Sequence, residues 1–534
     1  MDYYNTSFHC VQEKKKLGRC HRGMEGLPGK VLCRWAALAG LLFFFAAALV
    51  LSVQPAEKAV EGYLGIPLLS ESELAGLGSY QYRDYSENLK FQDEYAAIDQ
   101  ETSVIYIPQN IDDDTEAEAL EGLLTIDAPG RKLFFAPDAY WESLNEAVRC
   151  GHPFKLIVSD WRNTYMQYDV VFTTLPVISM HGQLLYKDSE GRDVLSGRIV
   201  LWDPELLGAG ESGVQASQLQ WNLRGGSAAS EPKKPWKLRL KNWNGKANSI
   251  SLLQLGTDDH WILNSMCMED SNIREKLFMD LWNEMAAQTD YNYPMSRGEY
   301  VEVLVNGEYF GLYLLQRRID QDYLDLDDGD VIVKASTDTG NIVYEFFSNS
   351  GETISQRELD LFFEEMNCGK MVRDNFIDVS LFLQMFSSRD NMGYKNMFYV
   401  FEKQEDGYHI VLVPWDTDMT MGTVWVNDAV GFQYDYSKSL HSIVERRELK
   451  VMQQLYPDLN RDFQLRWKEL RADIFHLESL TEKMTGYLEM LDSTGAPQRD
   501  QKKWGLFYEG EDTIEKLYRF VEERLLFVDG YYLE

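Results

Sequence analysis

The stretch SSRDNMGYKNMFYVFEKQEDGYHIVLVPWDTDMTMG (Ser387–Gly422) decides the fold of this chain. Its two apolar runs, NMFYVF and YHIVLV, are rich in β-branched and aromatic residues and flank Asp406–Gly407, a favoured two-residue hairpin turn. With that turn, Met397 is predicted to pair with Asp416. The hairpin would then bring polar side chains from both of its ends into one small volume: Asp390, Asn391 and Asn396 from one end, and Asp416 and Asp418 from the other.

The convergence of these side chains predicts a cation site. Hard divalent cations take carboxylate and amide oxygens as ligands, and Mg²⁺ combines one or two carboxylates with nucleotide phosphates. Carboxylates that lie close together repel one another unless a cation is present. The competing interpretation is a set of helix caps, turn residues and a solvated rim. That interpretation accounts well for any single Asp. It accounts less well for five polar residues that lie at both ends of one hairpin.

The elements before this hairpin follow one another in a clear order. WKLRLK (Trp236–Lys241) alternates strictly between apolar and basic residues, as a half-buried strand does. A helix follows, with Ser271 as its predicted N-cap and apolar residues at four-residue spacing through Met285. The run Tyr300–Leu315 predicts two strands around Asn306–Gly307, the strongest short hairpin signal.

Further elements lead up to the quoted stretch and follow it. DVIVKA (Asp330–Ala335) predicts a strand. Helices are predicted over Ile354–Met366 and again just before the quoted stretch, the latter opened by Asp378. The tail is predicted to be helical over Arg461–Leu491 and Thr513–Phe527 because of its apolar spacing.

This order of elements is that of a protein kinase. There, an Asp after a helix receives the proton of the substrate hydroxyl, and a downstream Asn and a second Asp after a hairpin hold metal on the phosphates. The upstream strand with lysines, the helix and the antiparallel hairpin agree with that arrangement. The fold class expected is therefore α+β, a two-lobed atypical protein-kinase-like fold, preceded by a β-rich module and a single transmembrane helix.

Several motifs together resemble the spore-coat protein H (CotH) kinase family, over roughly Pro176 to Gly422. They are LRGGS (Leu223–Ser227), KKPWKLRL (Lys233–Leu240), WILN with Asp270–Ser271 and Arg274, VEVLVNGEYFGLYLL (Val301–Leu315), SRDN (Ser388–Asn391) with Asn396, and PWDTDMTMG (Pro414–Gly422). The resemblance implies an atypical Ser/Thr protein kinase that uses ATP with Mg²⁺ or Mn²⁺ and acts on exported or spore-coat proteins.

The resemblance also implies roles for single residues. Asp390, with Asn391 beside it, corresponds to the catalytic-loop Asp, and Asn396 corresponds to the metal-binding Asn. Asp416 corresponds to the metal-binding Asp, and Asp418 is a second candidate for a metal ligand. The chain departs from the family after the second strand of the Asn306 hairpin, where Gln316–Arg317 stands in place of a Glu.

The cation that contacts the nucleotide phosphates is left open. Lys237 lies in the middle of the predicted strand and is the first candidate for cofactor binding. Nearby alternatives are Lys233, Lys234 and Arg224, and the acidic partner on the following helix would be Glu275 or Glu284. Lys334 lies in VIVK, which is similar to a kinase strand motif but follows the hairpin, in the wrong order.

A membrane anchor is predicted near the N-terminus. WAALAGLLFFFAAALVLSV (35–53) is nineteen residues without a charge, which as a helix spans nearly the whole hydrocarbon core. The basic leader, 1–34, places the N-terminus in the cytoplasm and the following domain outside the cell membrane. A cleaved signal peptide is the alternative. The domains expected are a cytoplasmic tail (1–34), a transmembrane helix (35–53), a linker with a β-rich region (54–175) and a CotH-like kinase domain (176–534).

The charge of the chain limits the partners it can have. The formal net charge is −33, and so acidic a chain repels nucleic-acid phosphate. The expected partners are an exported or coat protein as substrate and the membrane through residues 35–53, with no nucleic acid. Two alternatives to a kinase stay open, a catalytically silent kinase-like module for surface or spore-coat assembly and a glycan hydrolase with paired carboxylates.

Overall fold

The computed structural model describes residues 63–109, 122–137, 153–160, 164–189, 191–208, 212–338, 341–346, 357, 370–388, 390–391, 396–405, 407–426, 429–432, 434, 436–437, 447–505 and 513–533. Within these ranges, no helix is both long enough and apolar enough to cross a membrane. The predicted tail 1–34 and transmembrane helix 35–53 lie outside the described residues. So does the helix predicted over Ile354–Met366, apart from Arg357.

Two sheets form the first part of the described chain. Their elements are helix α1 (Glu71–Gly76) and strands β1 (Ser79–Tyr80), β2 (Leu89–Phe91), β3 (Glu94–Tyr95), β4 (Ala97–Asp99), β5 (Val104–Pro108), β6 (Leu124–Ile126), β7 (Lys132–Phe135), β8 (Phe154–Ser159) and β9 (Thr164–Thr173). One sheet has the order β4-β5-β9-β8-β7, with β1 parallel to β9, and the other has the order β3-β2-β6.

A closed barrel follows in the chain. Its region contains β10 (Val177–Lys187), β11 (Asp193–Trp202), α2 (Pro204–Gly208), β12 (Val214–Leu223), β13 (Trp236–Lys241), β14 (Ile250–Ser251), β15 (Thr257–Asp258), β16 (His260–Asn264), α3 (Arg274–Ala287), β17 (Gly298–Val305) and β18 (Glu308–Arg317). The barrel order is β10-β11-β12-β13-β16-β18-β17, and β10 closes it by pairing in parallel with β17. The strands β14 and β15 form a separate hairpin.

The alternating side chains of these strands fill the barrel. Trp236, Leu238 and Leu240 of β13 are buried in its interior, while the basic residues between them are only half-buried. This confirms the predicted strand. The predicted β17–β18 hairpin is also confirmed, and Asn306 and Gly307 at its turn have φ of 51° and 76°. Both positions need positive φ, which Asn and Gly adopt most readily.

A sheet and a group of helices form the C-terminal part. Its elements are α4 (Gln321–Leu324), β19 (Val331–Asp338), β20 (Asn341–Phe346), α5 (Arg373–Met385), β21 (Met397–Gln404), β22 (Gly407–Pro414), β23 (Thr423–Val426), β24 (Ala429–Phe432), α6 (Arg447–Leu455), α7 (Leu459–Ala472), α8 (Leu477–Thr494), α9 (Ala496–Trp504) and α10 (Ile514–Tyr532). The sheet has the order β20-β19-β21-β22. The chain therefore has mixed α and β content, as predicted.

Helix α3 packs on the C-terminal helices through aromatic side chains. Phe278 and Trp282 of α3 contact Phe382 of α5 at ring-centroid distances of 5.3 and 5.2 Å. Phe386, which follows α5, contacts both Phe278 and Phe475. These rings belong to the largest apolar cluster of the described chain, which fixes α3 against the start of the Ser387–Gly422 stretch.

The predicted hairpin in that stretch exists, but its register was predicted wrongly. Gln404 pairs with Gly407, so Gly407 is already part of β22 and the turn lies before it. Met397 consequently pairs with Pro414 and not with Asp416. The shift does not separate the polar residues, because Asp416 now lies just beyond the paired strands.

Two predicted helix caps are also wrong. Helix α3 begins at Arg274 with Ile273 as its N-cap, and the Ser271 hydroxyl donates to the Glu269 carboxylate. Asp378 lies inside α5 and not at its start. It is fully buried, and the guanidinium of Arg466 binds it through two nitrogens, at 2.7 and 3.1 Å. A partner 88 residues away gives Asp378 a role that its local sequence does not reveal.

Candidate functional site

The two ends of the β21–β22 hairpin meet at a small cluster of polar residues. Asn396 Nδ2 donates to Asp390 Oδ2 at 2.8 Å, and the backbone carbonyl of Asn396 accepts from the N–H of Trp415 at 3.0 Å. Asn396 and Asp416 both have left-handed backbone conformations, with φ of 54° and 57°. Asn and Asp tolerate that conformation better than most residues, and such positions are concentrated at functional sites.

Asn391 holds the two ends of the hairpin together. Its Nδ2 donates to the carbonyls of Asn396 and Trp415, each at 2.7 Å, and its Oδ1 accepts from the Ser388 hydroxyl. The side chain is buried. Asn391 was predicted beside Asp390 as a catalytic residue, and in the structure its side chain joins the two ends of the hairpin.

Asp418 lies at the centre of a group of carboxylates. Burial, followed by the charges of Asp416, Glu275 and Asp390, holds the pKa of Asp418 well above its usual range. Four acidic side chains therefore act on one another in a region where water screens them little. Such a group is stable at neutral pH when a proton or a cation offsets its charge.

Glu275 of α3 contacts the segment between the two aspartates. Its Oε2 accepts from the backbone N–H of Thr417 at 3.0 Å, and its Oε1 lies 3.4 Å from Nε2 of Gln316. Burial, and then the charge of Asp416, raises the pKa of Glu275 to about 7. Glu275 was predicted as a possible partner of a phosphate-binding lysine, whereas its hydrogen bonds go to Thr417 and Gln316.

The Glu275 contacts also explain the departure at Gln316. Gln316 is fully buried, and its amide donates towards Glu275. A Glu at this position would place a second carboxylate against the first, which burial makes unfavourable. The neighbouring Arg317 lies 3.3 Å from the Asp258 carboxylate, in the barrel wall.

Arg274 supports the other side of the loop, a role that the sequence did not indicate. Its Nε and Nη2 donate to the carbonyls of Thr420 and Met421, at 3.1 and 3.4 Å. The Glu269 carboxylate accepts from its backbone N–H at 3.1 Å and lies 3.4 Å from Nη1. Arg274 is fully buried. The start of α3 thus holds the residues that follow Asp418.

A cleft opens over this cluster. Its wall includes Arg224 and the glycine loop that follows it, the Asn264–Met268 segment, and the carboxylates of Asp390, Asp416 and Asp418. Its volume is about 80 Å³, room for a few water-sized groups. The cleft can accept a metal ion with part of a phosphate chain.

The predicted phosphate-binding cations differ in their positions. Arg224 lines the cleft. Lys237 lies half-buried on the outward side of β13, and burial followed by Arg318 and Arg239 lowers its pKa. Lys234 donates to the carbonyls of Ala229 and Ser230, which closes the glycine loop.

Lys233 has a structural role. It is fully buried, and its ammonium lies 2.9 Å from the Asp500 carboxylate. Asp500 in turn accepts from the backbone N–H of Leu312 at 2.9 Å. Lys233 therefore joins the segment before β13 to α9, Asp500 joins α9 to β18, and Lys233 is not among the residues that line the cleft.

The donor set fits a hard divalent cation. The Nδ2 of Asn396 donates a hydrogen bond to Asp390. The side-chain amide oxygen of Asn396 is therefore the atom that can bind a cation. Asp416 and Asp418 add carboxylate oxygens, and burial followed by the neighbouring carboxylates raises the pKa of Asp418. Oxygen ligands of this kind suit Mg²⁺ or Mn²⁺.

Comparison with known proteins agrees with this geometry. The family model described as CotH kinase protein matches residues 222–528, from the end of β12 into α10. A comparison with curated proteins gives no match. The matched region contains every residue of the cleft and more than half of the 534 residues, so the predicted resemblance is confirmed and the chain belongs to the CotH kinase family.

Proposed function

We propose that this chain is a membrane-anchored atypical protein kinase that transfers the γ-phosphate of ATP to Ser or Thr of exported or spore-coat proteins. The observation that carries the proposal is the arrangement of Asp390, Asn396 and Asp416 at the ends of one hairpin, with Asp390 and Asn396 joined at 2.8 Å. Asn396, Asp416 and Asp418 would hold Mg²⁺ or Mn²⁺ on the nucleotide phosphates. When bound, the metal neutralises the charge that develops on the phosphates.

The protein groups have distinct parts in the transfer. The Asp390 carboxylate, oriented by the Asn396 amide, accepts the proton of the acceptor hydroxyl. The hydroxyl oxygen forms a bond to the γ phosphorus, the bond from that phosphorus to the β–γ bridging oxygen breaks, and ADP leaves with the electron pair. Asn391 and Glu275 position the loops on which Asp390 and Asp416 lie.

Two variants test this proposal with different expected effects. The full-length protein, purified in detergent, should transfer labelled phosphate from ATP to itself or to an added protein in the presence of Mg²⁺ or Mn²⁺. Asp416→Ala should lose metal-dependent nucleotide binding together with transfer. Asp390→Asn should keep nucleotide binding but lower transfer by at least about a hundredfold. Failure of the wild-type protein to bind any nucleotide in calorimetry would overturn the proposal.

The alternative is a kinase-like module for surface or spore-coat assembly that has no catalytic activity. The missing family Glu at Gln316 and the contact of Glu275 with Thr417 in place of a lysine support it. It predicts nucleotide binding without transfer, and an Asp390→Asn variant that still functions in cells. The proposed location, with the N-terminus in the cytoplasm and the kinase-like domain outside, is tested separately by protease protection on whole cells.

A further inference from the structure

Two cationic side chains flank the indole ring of Trp415, the residue that precedes Asp416. The Arg224 guanidinium lies 5.6 Å from the ring centroid, and the Lys334 ammonium lies 5.7 Å from the same centroid. Lys334 is on β19, where it pairs with Phe398 of β21, and its ammonium also lies 5.8 Å from the Phe398 ring. The chain therefore brings cations from the barrel and from the C-terminal sheet to one aromatic residue beside the carboxylates.

These two cations differ from Arg274 and Lys233, the two fully buried cations near the site. Arg274 and Lys233 are paired with Glu269 and Asp500. In contrast, no carboxylate of the described chain lies within ion-pair distance of the side chains of Arg224 or Lys334. The carboxylates whose charges act on Lys334 are those of Asp416 and of Glu345, its partner across the β19–β20 ladder, and both cations are at least half-buried. Such an arrangement favours an anion.

Trp415 adds a second observation of the same kind. The ring is buried, with 4% of its surface exposed, and its Nε1–H is a buried donor without a hydrogen-bond partner in the described part of the chain. A buried donor without an acceptor is unfavourable. Two cations that form no direct ion pair in the described chain, beside a buried donor that has no acceptor there, make a site that an anionic ligand would complete.

Lys334 and Lys237 differ in where they lie: the Lys334 ammonium is 5.7 Å from the ring centroid of Trp415, the residue before Asp416, whereas Lys237 is on the half-buried outward face of β13. Burial lowers the pKa of Lys334, and Asp416 is the largest charge that acts in the opposite direction. The charges that act on Lys237 are those of Arg318, Arg239, Glu345 and Arg224. The sequence order of a typical kinase favours Lys237, but the fold brings Lys334 to Asp416 through the pairing of β19 with β21.

We infer that Lys334 and Arg224 form the subsite for the non-transferred phosphates of the nucleotide, beside Trp415, and that Lys237 is not the phosphate-binding lysine. This inference rests on the proposed function. The charges of the two halves of the site are complementary: a divalent cation offsets the carboxylates of Asp416 and Asp418, and the phosphate chain that it binds offsets Lys334 and Arg224.

The test compares two lysine variants in the full-length protein purified in detergent. The probes are a non-hydrolysable ATP analogue, adenosine and tripolyphosphate, each with Mg²⁺, and calorimetry measures their affinities. Lys334→Met should weaken binding of the ATP analogue and of tripolyphosphate by about ten- to a hundredfold, because a charged hydrogen bond is lost. Adenosine has no phosphate, so its affinity should not change.

Three further variants accompany Lys334→Met. Lys237→Met should change the affinity for the ATP analogue by less than about threefold, and Lys334→Arg should recover most of the wild-type affinity. Arg224→Gln should weaken binding as Lys334→Met does. Melting temperatures confirm that each variant is folded. If Lys334→Met binds the ATP analogue as tightly as wild type, or if Lys237→Met has the larger effect, the inference is wrong.

The two proposals can fail separately. If the wild-type protein binds tripolyphosphate through Lys334 but binds no nucleotide, the anion subsite is supported and the kinase function is not. If it binds the ATP analogue without any dependence on Lys334, the kinase function survives and the subsite does not. If the wild-type protein binds neither ligand, both proposals are overturned.

Discussion

The Glu275 carboxylate accepts a hydrogen bond from the backbone N–H of Thr417 at 3.0 Å, across 142 residues of sequence. Thr417 lies between Asp416 and Asp418, so this single contact fixes helix α3 to the segment that carries two of the predicted metal ligands. Both partners are fully or nearly fully buried. The orientation of the carboxylates therefore depends on the position of the helix.

Glu275→Ala should uncouple α3 from the metal-binding segment. The Thr417 N–H would then be buried without an acceptor, which costs about 1–3 kcal/mol of stability, and transfer activity should fall more than the stability loss alone explains. Glu284→Ala is the matched control, because Glu284 is exposed on the same helix and pairs with Lys483 at the surface. It should cost less than about 1 kcal/mol. Denaturant unfolding and initial rates measure the two effects, and equal effects of both variants would contradict this role of Glu275.

The pH dependence of stability should reflect the raised pKa of Glu275. The carboxyl has a pKa of about 7 in the folded protein against 4.5 for the ordinary group. Between these values the folded state binds more protons than the unfolded state, so stability falls as pH rises from about 4.5 to 7. The loss is on the order of 3 kcal/mol.

Mg²⁺ should offset this loss, since a bound cation stabilises the ionised carboxylates. The melting temperature measured with and without EDTA should therefore show a larger gain from Mg²⁺ at pH 8 than at pH 5.5. Glu275→Gln keeps an acceptor for Thr417 but removes the charge, so in EDTA at pH 8 it should be more stable than wild type. A pH-independent gain from Mg²⁺ would show that the cation does not bind at this cluster.

Asn391→Ala should lower activity through position and not through chemistry. The Trp415 carbonyl loses the Asn391 donor and the Asn396 carbonyl keeps the N–H of Trp415, so the expected cost is about 1–3 kcal/mol of stability. The value of kcat should fall at least about tenfold while KM for ATP changes little, because the buried Asn391 side chain is not among the residues that line the cleft. Asn242→Ala is the control, since the side-chain Oδ1 of Asn242 accepts from the backbone N–H groups of Asn244 and Lys246 in an exposed turn. An Asn391→Ala enzyme with wild-type kcat would rule out this positioning role.

The Lys233→Met variant should be less stable than the wild-type protein. Its folded form should bind nucleotide with unchanged affinity. The substitution leaves the buried Asp500 carboxylate without its cation, at a cost of about 3–5 kcal/mol. The double variant Lys233→Met with Asp500→Asn should recover part of the loss, because Asn can still accept from Leu312. Lys503→Met, at a more exposed pair with Glu308, should cost under about 1 kcal/mol. Weaker nucleotide binding by folded Lys233→Met would return Lys233 to the candidates for phosphate contact.

The sequence by itself determined the features that depend on near neighbours. Alternation of apolar and basic residues predicted β13, and Asn306–Gly307 predicted the β17–β18 turn, because burial of one strand face and positive φ are local requirements. The acidic and amide residues at both ends of one hairpin predicted a shared site. These residues lie close together in the structure even though the predicted register was wrong by two residues. Ordered motifs were specific enough to indicate the family.

The tertiary structure alone decided which buried charges lie together. Arg466 pairs with Asp378, Lys233 with Asp500 and Glu275 with Thr417, each across more than 80 residues, and Lys334 reaches the neighbourhood of Asp416 only because β19 pairs with β21. A charge removed from water must find a partner wherever packing provides one. That partner is set by how the barrel, the sheet and the helices pack, and the local pattern around each residue does not contain this information.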